Sequence, residues 1–249
     1  MKFIGIIPAR YSSTRFPGKP LADIDGVPMI IRVVRQALKA IDTVVVATDD
    51  ERIYDTVVRY GYNAVMTSDK HRSGTDRCLE AYERFGYRAD VIINIQGDEP
   101  FIHPEQIDEL KHCYDDPAVK LATLVRKFPS DGNYDMLSNP NTPKVVVDDD
   151  MFAMYFSRSV IPYLRGKEVD EWAASHQYFT HVGMYAYKAE TLRAITALPQ
   201  SSLELAESLE QLRWLQAGYK IKVGVTSYET IGIDTPADLQ RAVEYLHKS

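Results

Sequence analysis

Cysteine is scarce in this chain. Cys78 and Cys113 are the only two and do not form a Cys-x-x-Cys pair, which excludes a disulfide scaffold and a thiolate zinc site from the expectations. Excess positive charge is lacking as well: 29 Lys and Arg stand against 35 Asp and Glu, for a net charge of −6. Broad nucleic-acid binding needs a basic field, so any anion must be held by a local cluster, and no nucleic-acid partner is expected. Long apolar runs are missing too. No segment approaches the roughly 18 apolar residues of a membrane span, and the apolar stretch in MKFIGIIPAR is too short for a secretory leader; a cytoplasmic protein with no membrane partner is expected. Two common phosphate signatures are also absent. There is no G-x-x-x-x-G-K-S/T motif and no G-x-G-x-x-G after the first apolar run, which argues against a P-loop NTPase and an ordinary dinucleotide-dependent dehydrogenase.

What is present is an alternation. Short apolar runs recur at FIGIIPA (3–9), TVVVAT (43–48), NAVMT (63–67), DVIINIQ (90–96) and VKLATLV (119–125). Runs of this kind, separated by amphipathic segments, predict strands buried on both faces in a doubly wound, mainly parallel α/β sheet. PMIIRVVRQALKA (28–40) places Ile31, Val34, Ala37 and Leu38 on one stripe behind a helix-initiating Pro28. TDRCLEAYERFG (75–86) starts at Thr75 or Asp76 and stops at Gly86. After about residue 127 the alternation gives way to SDGNYDMLSNPNTP and to strand-like segments around a DDD turn, read as an excursion over 128–190. HVGMYAYKA (181–189) and YKIKVGVT (219–226) read as strands, and LAESLEQLRWLQAG (205–218) and TPADLQRAVEYLHK (235–248) as helices. One domain spanning 1–249, with a smaller sub-lobe, suits this length.

Three cations, Arg10, Arg15 and Lys19, stand on the loop after the first strand, in PARYSSTRFPGKPL. Pro8, Pro17, Pro20 and Gly18 stiffen that loop, and separated cations suit different oxygens of a polyphosphate at the carboxyl end of a parallel strand. IQGDEPFI sets Asp98 just past another buried strand. A carboxylate there suits Mg²⁺, although a turn-capping Asp after Gly97 reads equally well from this stretch alone. Asp234, in GIDTPADL, reads on its own as a helix N-cap.

These segments, with SGTDR (73–77), YFSRSVIP (155–162) and LEQLR (209–213), resemble the sugar-nucleotide nucleotidyltransferases, and among them the 3-deoxy-manno-octulosonate (Kdo) cytidylyltransferase family, in order from residue 3 to about 246. The resemblance implies a Rossmann-like nucleotidyltransferase fold and transfer of the cytidylyl group of CTP to Kdo for lipopolysaccharide synthesis, in a homodimer. It implies Asp98 and Asp234 as Mg²⁺ ligands, catalytic together with Arg10 and Lys19, and Ala9, Arg10, Arg15, Lys19, Ser73, Gly74, Thr75 and Arg77 around the nucleotide. Gln96, Arg158, His181, Tyr185 and Glu210 are the implied sugar contacts. Arg72 and Ser202 depart from the family pattern, where Gln and Pro are expected. These departures keep an amino-substituted Kdo open as acceptor, beside sialic acid and a catalytically silent sugar-nucleotide-binding subunit.

Overall fold

The apolar runs become strands because each is flanked by helices that cover it, and the striped segments become those helices. In the computed structural model, which describes residues 1–12, 16–229 and 232–246 (for Tyr245 the backbone alone), the chain begins with β1 (Phe3–Ala9) and a small ribbon of β2 (Asp23–Ile24) and β3 (Val27–Pro28). There follow α1 (Met29–Ala37), β4 (Val44–Thr48), α2 (Glu51–Arg59), β5 (Asn63–Met66), α3 (Gly74–Phe85), β6 (Val91–Asn94) and α4 (Pro104–His112). It continues through β7 (Leu121–Lys127), α5 (Tyr134–Leu137), β8 (Lys144–Val147), β9 (Ala153–Ser157), α6 (Trp172–Ser175) and β10 (Phe179–Lys188). The last elements are α7 (Ala189–Thr196), α8 (Ser202–Glu207), α9 (Gln211–Gln216), β11 (Lys222–Thr226) and α10 (Pro236–Leu246). The expected class, α/β with mainly parallel strands, is the one found.

The chain divides into two compact units, one of Met1–Asp108, Ala186–Thr196 and Glu229–Ser249, the other of Glu109–Tyr185 and Ala197–Tyr228. The excursion expected at 128–190 falls in the second unit up to Tyr185, and that unit also takes in the chain on either side of it.

In the first unit β5, β4, β1 and β6 lie side by side, all parallel. Sequence order reverses between β1 and β6, and the carboxyl ends of strands at such a switch point are where ligands bind in doubly wound sheets. All five residues of β4 and all four of β6 are buried. α1 buries Ile31, Val34 and Ala37, but it stops at Ala37, so Leu38 leaves the stripe and is 37% exposed. α3 begins at Gly74 because Ser73, not Thr75 or Asp76, is its cap: the Ser73 hydroxyl accepts from the Asp76 N–H. The helix ends at Gly86, as expected, with φ 73°.

In the second unit β7 pairs in parallel with β11 and neighbours β10, while β8 runs antiparallel to both β10 and β9. The DDD turn joins β8 to β9. A cluster of Phe128, Leu137, Trp172, Ala173 and Tyr178 forms a buried centre. The helix expected at 205–218 is two helices. Ser208 breaks it in the left-handed conformation, φ 52°, and the Glu207 and Ser208 carbonyls accept hydrogen bonds from Arg158.

Candidate active site

Three charged groups far apart in sequence meet beyond the ends of β1 and β6. Gly18, in the left-handed region at φ 72°, turns the chain into a short 3-10 helix over Lys19–Leu21. The Gly18 N–H closes the loop on the Tyr11 carbonyl at 2.9 Å, and the Arg52 guanidinium stacks on the Tyr11 ring with its carbon 3.3 Å from the centroid. Lys19 therefore leaves a braced loop. Asp98 is placed by its neighbour: a Cβ on Gly97 would lie 2.8 Å from the Pro8 carbonyl oxygen, so only glycine lets this loop approach β1 so closely.

Asp234 arrives through Ile233, fully buried beside Ile24, Met29 and Ala242, whose N–H donates to the Asp98 carbonyl at 2.9 Å. The N-cap role that Asp234 has in the sequence passes to its neighbours. The Asp238 carboxylate accepts from the Asp234 and Thr235 N–H groups, and the Thr235 hydroxyl accepts from the Asp238 N–H. The Asp234 side chain is thereby turned to Lys19.

Lys19 Nζ donates to Asp98 Oδ2 at 2.7 Å and to Asp234 Oδ1 at 3.1 Å. Its side chain is 15% exposed against 33% and 47% for the two carboxylates, so the acids remain open to a ligand while the ammonium is tucked beneath them. Burial pulls the Lys19 pKa down, but the charge and hydrogen bonds of Asp98 and Asp234 outweigh it and the net shift is upward. Two oxygen donors within reach of one nitrogen fit a hard divalent cation. Among the described residues no group of three or more His, Cys, Asp or Glu gathers to enclose a metal, and Mg²⁺ characteristically takes one or two carboxylates and completes its shell with water and phosphate. The pair therefore fits Mg²⁺. Arg10 is exposed at the end of β1, directly after buried Ala9; Arg15 lies outside the described residues.

Ser73, Gly74 and Thr75 form the first turn of α3. Gly74 lies close to Pro8, its Cβ position 3.3 Å from the Pro8 ring. Arg77 requires a correction. Its side chain is 1% exposed, pairing with Asp49 at 2.7 Å and donating to Thr67 Oγ1 at 2.6 Å, so it ties β4 and β5 to α3 instead of offering a donor to a ligand. Asp49 was not singled out in the sequence, because nothing in ATDD reveals a partner on another element.

Of the acceptor-side candidates, Gln96 lies with the first unit, after β6; the other four lie in the second. His181 stacks edge-on against Phe156, and its ring centroid lies 5.3 Å from that of Tyr185, which in turn meets Trp214. Thr123 has one hydroxyl proton and gives it most closely to the Met184 carbonyl at 2.8 Å, so the 3.0 Å contact with His181 Nε2 is best satisfied by an Nε2–H donating to Thr123. Burial drives the His181 pKa down to about 3, leaving a neutral ring. The Tyr185 hydroxyl is pushed well above its ordinary pKa, first by burial and then by the nearby charge of Glu210. Arg158 leaves the end of β9 and is held by backbone carbonyls.

A doubly wound sheet with a cation and two partly exposed carboxylates at its switch point is an arrangement suited to a nucleotidyltransferase. A family model for cytidylyltransferases matches residues 4–221. The chain is 62% identical to the 3-deoxy-manno-octulosonate cytidylyltransferase of Parabacteroides distasonis, over 99% of this chain and 98% of the relative. It is 56% identical to the enzyme of the same name from Bacteroides thetaiotaomicron, with the same coverage. A solved structure of CMP:2-keto-3-deoxy-manno-octonic acid synthetase complexed with CTP superposes with a TM-score of 0.90 at 42% identity, covering 100% of this chain and 99% of that one. A putative glucose-1-phosphate thymidylyltransferase from Bacillus anthracis, 18% identical, shares the fold at a TM-score of 0.64, with 99% of this chain and 96% of that one covered. The chain belongs to the cytidylyltransferase family and, within it, to the 3-deoxy-manno-octulosonate cytidylyltransferases.

Proposed function

We propose that this enzyme transfers the cytidylyl group of CTP to 3-deoxy-D-manno-octulosonate, releasing pyrophosphate and giving the activated sugar for lipopolysaccharide synthesis, in the cytoplasm and as a homodimer. The observation that carries the reading is the cluster of Lys19, Asp98 and Asp234 beyond β1 and β6. Arg10, Arg15 and Lys19 take the β- and γ-phosphates, and the first turn of α3 borders the base. Asp98 and Asp234 would hold Mg²⁺, which when bound neutralises phosphate charge and polarises the α-phosphorus. The anomeric hydroxyl attacks the α-phosphorus, its oxygen forms the new P–O bond while its proton passes to solvent, and the bond to the bridging oxygen breaks as pyrophosphate departs. The chain's part is positioning and electrostatic preorganisation; no covalent intermediate is required. Arg158, His181, Tyr185, Glu210 and Gln96 recognise the sugar, with Arg158 meeting its carboxylate.

Exposed Tyr163, Met136 and Met154 in the second unit supply apolar surface suited to a partner copy. The absence of any helix long and apolar enough to cross a membrane among the described residues is compatible with the proposed location.

The test is pyrophosphate release with Mg²⁺ across CTP, UTP, ATP and GTP, each with Kdo, amino-substituted Kdo and sialic acid. Release largely confined to CTP with Kdo is expected. Release only with another acceptor would overturn the acceptor, and no release with any pair would favour a silent binder.

A further inference from the structure

Arg158 is held at both of its backbone polar groups by two oppositely charged side chains. Its N–H donates to Glu207 Oε2 at 2.9 Å, and its carbonyl accepts from Lys144 Nζ at 2.7 Å. The guanidinium is fixed too: Nε donates to the Glu207 carbonyl at 2.7 Å, Nη1 to the Pro140 carbonyl at 2.7 Å and Nη2 to the Ser208 carbonyl at 3.2 Å. Three of the five N–H donors of a guanidinium are thus spent on backbone, and one remains on each terminal nitrogen. Two donors on adjacent nitrogens are what a carboxylate takes in a bidentate pair.

The clamping residues have nothing left to offer a ligand. Lys144 is fully buried, and its three N–H groups go to the carbonyls of Asn139 at 3.0 Å, Thr142 at 2.9 Å and Arg158. The second Glu207 oxygen accepts from the Ser157 hydroxyl at 2.6 Å. Withdrawing an ammonium from water is costly, and an apolar residue would fill that space without the cost. What the ammonium supplies is rigidity at one residue: it draws the Asn139–Thr142 turn and the end of β9 together, while Glu207 grips the same residue through the break between α8 and α9.

We propose that Lys144 and Glu207 are positioning residues that clamp Arg158 so that its two remaining N–H groups form a fixed fork for the carboxylate of an acidic sugar. This deepens the proposed function and rests on its reading that Arg158 meets the acceptor. The clamp confers preference for a carboxylated acceptor without touching it.

The experiment is steady-state kinetics on the full-length enzyme with Mg²⁺, varying CTP and Kdo separately, for Arg158→Ala, Lys144→Met, Glu207→Leu, Glu207→Gln and Ser157→Ala, with thermal melting of each. Losing a charge-assisted hydrogen bond corresponds to a rise of about tenfold or more in KM for Kdo. That rise is expected for Lys144→Met and Glu207→Leu, with KM for CTP within about twofold of wild type on the same scale. Glu207→Gln should recover most of it, because its amide oxygen still accepts from the Arg158 N–H while its NH₂ donates to Ser157. Ser157→Ala keeps both the Lys144 and the Glu207 charge and should give a smaller rise in the same parameter, which keeps the test open if Lys144→Met fails to fold. A raised KM for Kdo in Arg158→Ala with unchanged values in the Glu207 and Ser157 variants would overturn the clamp and leave the functional reading standing. Equal rises in KM for both substrates that track loss of melting temperature would reduce Lys144 and Glu207 to scaffold. An unchanged KM for Kdo in Arg158→Ala would overturn the reading of Arg158 itself.

Discussion

The two units handle charge in opposite ways. In the first, Lys19, Asp98 and Asp234 bind one another directly and are placed by backbone devices: the left-handed Gly18, the close approach at Gly97 and the buried anchor Ile233. The carboxylates stay open, and the charges can exchange one another for phosphate or metal. In the second, Arg158 is wrapped in carbonyls and charged side chains, and His181 and Tyr185 sit in an aromatic row where burial holds both neutral. The difference matches the chemistry proposed for each. Nucleotidyl transfer needs preorganised charge that a phosphate or metal can reach, whereas discrimination among sugars needs donors and acceptors whose directions do not change.

Four substitutions test that contrast. The largest effect on stability is expected from Arg77→Ala, which leaves the mostly buried Asp49, 12% exposed, without its partner. Removing one partner of a buried ion pair costs about 3–5 kcal/mol, to be read from denaturant unfolding, and the ratio of turnover with CTP to that with UTP should not change in whatever folds. A changed base preference at intact stability would return Arg77 to the nucleotide site. Next comes Gly97→Ala, whose methyl meets the Pro8 carbonyl. Overpacking of this kind costs about 1–3 kcal/mol, and displacement of Asp98 should lower kcat more than it alters KM for the sugar. Normal kinetics in a well-folded Gly97→Ala would show that the close approach does not place Asp98.

Lys19→Ala should raise KM for CTP by about tenfold, the size of one lost charge-assisted bond, and leave KM for Kdo nearly unchanged; the reverse pattern would break the division between the units. The remaining effect concerns acid. In the unfolded chain His181 takes a proton near pH 6.5, but in the folded protein only near 3. Between these values the unfolded state binds more protons, so stability falls as pH falls, by at most about 1.4 kcal/mol per pH unit from this group. Replacing His181 by Phe should flatten that acid limb in urea unfolding between pH 6.5 and 4, and an unchanged slope would mean that another group carries it.

Most of the first unit was legible in the sequence, because buried parallel strands write themselves as short apolar runs and the loops that follow them carry the motifs. β1 coincides to the residue with the apolar run 3–9, Lys19 stands out on its loop, and the family resemblance brings in Asp98 and Asp234. What the sequence hid were side chains satisfied by distant partners. Arg77 in SGTDR reads as an exposed donor until Asp49 and Thr67 appear beside it. Asp234 reads as a cap until Thr235 and Asp238 are found to cap one another. The break at Ser208 left no local signal, since neither Gly nor Pro marks it; it is compensated by Arg158, far away in the chain. Lys144 and Glu207 were missed for the same reason, as an ordinary Lys at a strand start and an ordinary Glu at a helix end.

The central claim, that the open carboxylates of the first unit are catalytic, is tested most directly by turnover of Asp98→Asn at saturating CTP, Kdo and Mg²⁺. A fall of at least ~100-fold in kcat is expected, the scale for removing a preorganised charge-stabilising group, with the melting temperature close to wild type because Asp98 is partly exposed. Near-normal turnover in that variant would contradict it.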